Sequence, residues 1–148
     1  MASAQIFPRL FTIGEANGLL RVLRPLVKRI FDTLELLRKK SESVIREERL
    51  LPSSPDFMER LQENDTIARL IHEVKGLAEE INSYGCVCKG VEQGLVDFPC
   101  LLGGEIVFLC WRYGEESVGH WHRIEDGFAG RRPLLDQEGS GGTRTTYH

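Results

Sequence analysis

Residues 11–47, FTIGEANGLLRVLRPLVKRIFDTLELLRKKSESVIRE, are the stretch on which the fold turns. Thr12-Ile13-Gly14-Glu15 is a capping-box pattern: the Thr12 hydroxyl can accept from the amide of residue 15 while Glu15 reaches back to the amide of residue 12. Phe11, just before the cap, can pack on the first turn. Beyond it Ala16, Leu20, Leu23, Val27, Ile30, Leu34, Leu37 and Val44 recur at alternating spacings of four and three, with Ser41 filling one place. That period puts them on one stripe of a helix. Leu19, Val22 and Leu26 widen the stripe near its start. Pro25 falls inside the pattern, where it deletes a ladder hydrogen bond and presses on the carbonyl of Arg21, so the helix should kink there or break.

Leu51-Pro52-Ser53-Ser54-Pro55 reads as the turn that follows, with Ser54 as N-cap and Pro55 as first helical residue. A second helix then carries Phe57, Leu61, Ile67, Ile71, Val74, Ala78 and Ile81. Asn64 and Asp65 interrupt its first turns, and Gly85 stops it. A helix over residues 13–47 would be roughly 50 Å long, against a radius of gyration of about 15 Å for a compact chain of this length. Two helices cannot bury so wide a stripe between themselves. A second copy forming a four-helix bundle or coiled coil would bury it, and so would strands folded back over the hairpin.

From Cys86 the periodicity changes. Cys86–Val91, Leu95–Phe98 (ending at Pro99), Glu105–Trp111 and Val118–Ile124 read as strands separated by glycine turns, and short connections make neighbours antiparallel. The fold class is therefore α+β: a long antiparallel helical hairpin over residues 1–85, then a small antiparallel sheet of three to four strands over 86–133. Residues 134–148, with Gly139-Ser140-Gly141-Gly142, read as a disordered tail.

The chain has 148 residues, is 41% hydrophobic and 28% charged, and has a formal net charge of -3. All of that charge comes from residues 84–148, with 6 basic and 9 acidic side chains against 13 of each in residues 1–83. A nucleic-acid partner would call for a basic footprint, and the longest basic run is Arg38-Lys39-Lys40. No segment approaches the ~20 apolar residues of a membrane span, and residues 1–7 lack the pattern of a secretory signal. A cytoplasmic protein is expected, with Cys86, Cys88, Cys100 and Cys110 as free thiols.

His120-Trp121-His122 puts two imidazoles on one face of a strand. Such a pair chelates a divalent metal if further ligands approach. Asp126 follows closely, Cys110 can face the pair across the hairpin, and Asp97 or Glu92 can arrive from the preceding segment. The blander reading is a pair of histidines hydrogen-bonded to carboxylates. Cys110 beside His122 would also be the raw material of a thiolate–imidazolium nucleophile, although a cysteine in so apolar a strand is ordinarily a small buried hydrophobe. Arg112 should pair with Asp97 or Glu115, because an isolated buried guanidinium is costly. Alternatively, Arg112 and Arg131 could clamp an anion.

Several strings together resemble the domain-of-unknown-function family 2203. They are Leu10-Phe11-Thr12, Glu15-Ala16-Asn17, Leu23-Arg24-Pro25-Leu26, Gly94-Leu95-Val96-Asp97-Phe98-Pro99, Leu109-Cys110-Trp111-Arg112, Gly114-Glu115, Trp121-His122, Gly127-Phe128 and Gly130-Arg131. The resemblance implies that Asp97, Arg112, Glu115, His122 and Arg131 are the characteristic polar positions. His120 departs from it, standing where the family more often has an aromatic or other residue, and no activity or cofactor is implied. Two functions follow as expectations. The first is a self-associating structural or interaction module that needs no cofactor, with a homo-oligomer formed through the hairpin or a protein partner, and neither nucleic acid nor membrane. The alternative is a small protein binding an anion or a divalent metal such as zinc, hydrolytic if catalytic. Its ligand site would be Asp97, Arg112, Glu115, His122 and Arg131, and its metal ligands His120, His122 and Asp126.

Overall fold

The computed structural model describes residues 7–134. Helix α1, Ile13–Glu48, is continuous through Pro25, so the helix does not break there. Its capping box is formed in both directions between Thr12 and Glu15. Arg49 then takes a left-handed conformation and ends it. The second helix is divided where Asn64 interrupts the pattern: α2 is Phe57–Gln62 and α3 is Asp65–Asn82. Asn64 caps α3 by accepting from the amide of Ile67. Helix α2 begins at Phe57, two residues beyond Pro55, and the Ser54 hydroxyl bonds the Asp56 side chain instead of capping. Salt bridges from Glu48 to Arg60 and from Arg29 to Glu73 step in opposite directions along the two segments, so α3 runs back along α1.

Five antiparallel strands follow as a meander in the order β1-β2-β3-β4-β5: β1 Val87–Gly90, β2 Leu95–Leu102, β3 Glu105–Arg112, β4 His120–Arg123 and β5 Arg132–Pro133. The expected count was three to four. The addition is β5, two residues with no alternation of their own, paired to His120 and Trp121 once the Gly127–Gly130 turn has brought the chain back. Leu134 follows, buried, with its amide bonded to the Gly119 carbonyl. The rest of the expected tail, 135–148, lies outside the described residues.

Strand β2 also passes through Pro99, where the sequence suggested an end. The Pro99 carbonyl accepts from the Phe11 amide. In an antiparallel strand the nitrogen and carbonyl of one residue face the same side, so the Pro99 nitrogen points away from β3 and no bond to β3 is lost. Gly103 and Gly104, both with positive φ, form the two-residue turn that fixes Leu102 opposite Glu105.

One face of the sheet (Val96, Phe98, Val107, Leu109, Trp111 and Trp121) packs with Ala16, Leu20, Leu23, Val27 and Ile30 of α1 and Val74, Leu77 and Ile81 of α3. A second cluster of Val44, Leu50, Leu61 and Ile67 closes the distal part of the helices. The wide stripe of α1 is thus covered within the chain by the sheet, α2 and α3. Among the described residues no helix is long and apolar enough to cross a membrane.

Candidate metal centre

The opposite face of the sheet carries the polar residues. The register sets Asp97 directly across from Cys110, Cys110 across from His120, and Phe108 across from His122. Period-2 alternation then leaves Asp97, Cys110, His120 and His122 on the face turned away from the helices. Phe7 stacks edge-on against Phe108, and Lys89 lies over the same ring, so this face is covered as well.

Asp97, Cys110 and His122 are 3%, 1% and 2% exposed. Each offers one donor atom, an oxygen, a sulfur and a nitrogen, and the three lie within 4.8 Å of one another. His122 Nε2 is 3.2 Å from Asp97 Oδ2. The other ring nitrogen, Nδ1, is 2.7 Å from the Arg123 carbonyl oxygen, which can only accept, so Nδ1 carries a proton. That contact fixes the ring and leaves Nε2 as the position for a ligand, the arrangement usual in metal-binding histidines. Burial pushes the Asp97 carboxyl above its ordinary value against the opposing pull of His122. Burial, then the Asp97 charge, pushes the Cys110 thiol up to about 12.

An ion pair adjoins this cluster. Both terminal nitrogens of Arg131 donate to Glu115, one of them at 3.1 Å. Arg131 also lies 3.9 Å from Cys110 Sγ and over the Phe128 ring at 4.5 Å. Glu115 is held by its own turn: its amide donates to the Arg112 carbonyl, and its carboxylate accepts from the Arg112 amide at 2.9 Å. Trp111 Nε1 donates to the Glu115 carbonyl at 2.9 Å. Burial alone would raise the Glu115 carboxyl, but Arg131 and the Arg112 amide outweigh it and hold the group below its usual value.

Of the residues singled out from sequence, Asp97, Glu115, His122 and Arg131 therefore converge, joined through Cys110. Arg112 contributes its backbone amide, while its guanidinium is exposed and, among the described residues, reaches only the Phe128 ring, at 5.9 Å. The pairing expected of Arg112 belongs to Arg131, because the Phe128–Gly130 turn carries Arg131 over the cluster. Both arms of Arg131 are engaged by Glu115, which leaves no guanidinium fork for an anion clamp.

The trio His120, His122 and Asp126 does not form a ligand group among the described residues. Asp126 is exposed in the turn after β4, and the carboxylate that meets His122 comes from β2 instead. The nucleophile reading fails on geometry as well. His122 Nε2 is directed at Asp97 and Nδ1 at the Arg123 carbonyl, so neither ring nitrogen is hydrogen-bonded to the Cys110 thiol, which burial pushes up.

A family model described as an uncharacterized conserved protein, DUF2203, matches residues 9–134, and the chain belongs to that family. No curated protein and no solved structure matches it.

Proposed function

We propose that this member of the DUF2203 family binds one divalent transition-metal ion through Asp97, Cys110 Sγ and His122 Nε2. The observation that carries the reading is the convergence of three unlike donors within 4.8 Å inside a closed part of the sheet. The Nδ1–H of His122 on the Arg123 carbonyl adds to it, because it leaves Nε2 for the ion. A sulfur–nitrogen–oxygen set suits zinc, iron or cobalt and is wrong for magnesium or calcium. The ligands come from three adjacent strands, so the ion would tie β2, β3 and β4 together. Their burial gives a substrate no approach, which argues for a structural ion over a hydrolytic one.

Metal content of protein purified without chelator, and calorimetric titration of stripped protein with zinc, test this. One equivalent is expected. Binding at 100 times Kd would add about 2.7 kcal/mol of stability. Cobalt loading should bring a sulfur-to-metal absorption band that Cys110→Ala abolishes. Substoichiometric metal, with no thermal shift on adding zinc, iron or manganese, would overturn the proposal.

Self-association through the hairpin is the second reading. The stripe that suggested it is covered inside the chain, and what supports it now is the exposure of Leu36, Leu51 and Met58 in the distal part of the hairpin. A monomer by light scattering at tens of micromolar would end it.

A further inference from the structure

Three protein ligands leave a tetrahedral ion one position short, and structural zinc sites are four-coordinate. One residue beside the cluster has an unmet need that fits. His120 is the cross-strand partner of Cys110 and lies two residues before His122 on the same face of β4. Its side chain is 32% exposed, but its Nδ1 is enclosed and has no hydrogen-bond partner among the described residues. The nearest carboxylate oxygen, Glu115 Oε2, is 3.8 Å away, beyond bonding distance, and Glu115 is already committed to Arg131 and to the Arg112 amide. A buried ring nitrogen without a partner is costly, and few native side chains are left so.

His120 also differs from the other three in its access. It lines a pocket of about 490 Å³ together with Glu115, Val118, Pro133 and Leu134, whereas Asp97, Cys110 and His122 are sealed. An ion coming from solvent would therefore meet His120 before it met the cluster.

We infer that His120, whose ring nitrogens do not join the other three donors as the structure stands, turns in as the fourth ligand when the ion enters and closes an Asp97–Cys110–His120–His122 site from the pocket side. This rests on the reading of the other three as ligands. It has one consequence: the filled site has no coordination position left for water, so it does not hydrolyse.

X-ray absorption of the zinc-loaded wild-type protein, with cobalt spectra and titrations of wild type, His120→Ala and His120→Asn, decides the matter. Expected are two imidazoles per zinc in the wild type and one in the variants. The variants should also give weaker cobalt d–d bands and lose at least the ~10–100-fold in affinity that an outer-shell partner is worth. One imidazole in the wild type, or unchanged affinity and spectra in both variants, would refute His120 as a ligand and leave the three-residue site standing. Should both variants misfold, the imidazole count in the wild type settles the question alone. Failure of the wild type and Cys110→Ala alike to take up metal would overturn both readings together.

Discussion

Replacing Arg131 by alanine breaks the Arg131–Glu115 ion pair and leaves every proposed ligand in the chain, removing only the long contact to Cys110 Sγ. The Arg131 and Glu115 side chains are 15% and 26% exposed, so the pair is neither open nor sealed. Exposed pairs are worth about 0–1 kcal/mol, and breaking a fully buried one costs about 3–5 kcal/mol. Glu115 would keep its bond from the Arg112 amide and some solvent, so the loss should fall between these limits, at about 2 kcal/mol. For a chain of this length that is a fall in Tm of roughly 5–8 °C. Urea unfolding of wild type, Arg131→Ala, Glu115→Ala and the double variant measures it. The double variant should cost less than the sum of the singles, with a coupling of about 1–2 kcal/mol. Acid provides a second check. Glu115 is held below its usual value in the folded state, so its contribution is fully present above the unfolded carboxyl pKa and vanishes as pH falls through the folded one. The gap between wild type and Arg131→Ala should therefore close on acidification. Additive singles, or a gap that stays constant down to acid unfolding, would refute a stabilising pairing of Arg131 with Glu115.

Other substitutions probe other parts of the fold. Gly94 has φ +67°, and a Cβ there would come within 2.8 Å of both Phe31 and Tyr113. Gly94→Ala should cost about 2–4 kcal/mol by urea unfolding, from backbone strain and overpacking together. Pro25 is exposed inside α1, where it forfeits a ladder bond. Pro25→Ala should stabilise the protein by about 1–3 kcal/mol, read as a higher thermal midpoint by circular dichroism. Asp97→Asn keeps the shape and offers an amide N–H to His122 Nε2 while removing the charge. It should leave the midpoint of the stripped protein nearly unchanged and abolish the rise produced by zinc.

Local signals in the sequence identified those elements whose formation depends on local chemistry. The capping box, the four-three stripe, the Asn64 interruption and the Gly103-Gly104 turn all act within a few residues, and each forms as read. What the sequence did not reveal depended on distant chain. Pro99 continues a strand because Phe11 stands on its free side, and Arg132–Pro133 becomes a strand only because β4 is there to receive it. The same holds for the covering of the α1 stripe. Its width pointed to a third surface, but the stripe alone cannot distinguish a second copy from a sheet arriving from residues 86–134.

One pairing of the polar cluster is legible in the sequence. The Gly103-Gly104 turn sets the register, and five residues outward from Leu102 and from Glu105 lie Asp97 and Cys110. Their facing each other is therefore written in the position of a two-residue turn, and alternation places both on the side opposite Trp111. The seven-residue connection from Tyr113 to Gly119 carries no such signal, so the choice of His120 as the partner of Cys110 depends on tertiary anchors: the Trp111 indole on the Glu115 carbonyl and Asn17 on the Val118 amide. Those anchors tie the register of β4 to helix α1. A shift of one residue would swing both histidines to the helix-facing side and put Trp121 over Cys110. Asn17 and Trp111 thus set the alignment of β4 on which the candidate metal site depends, although neither contributes a donor to it.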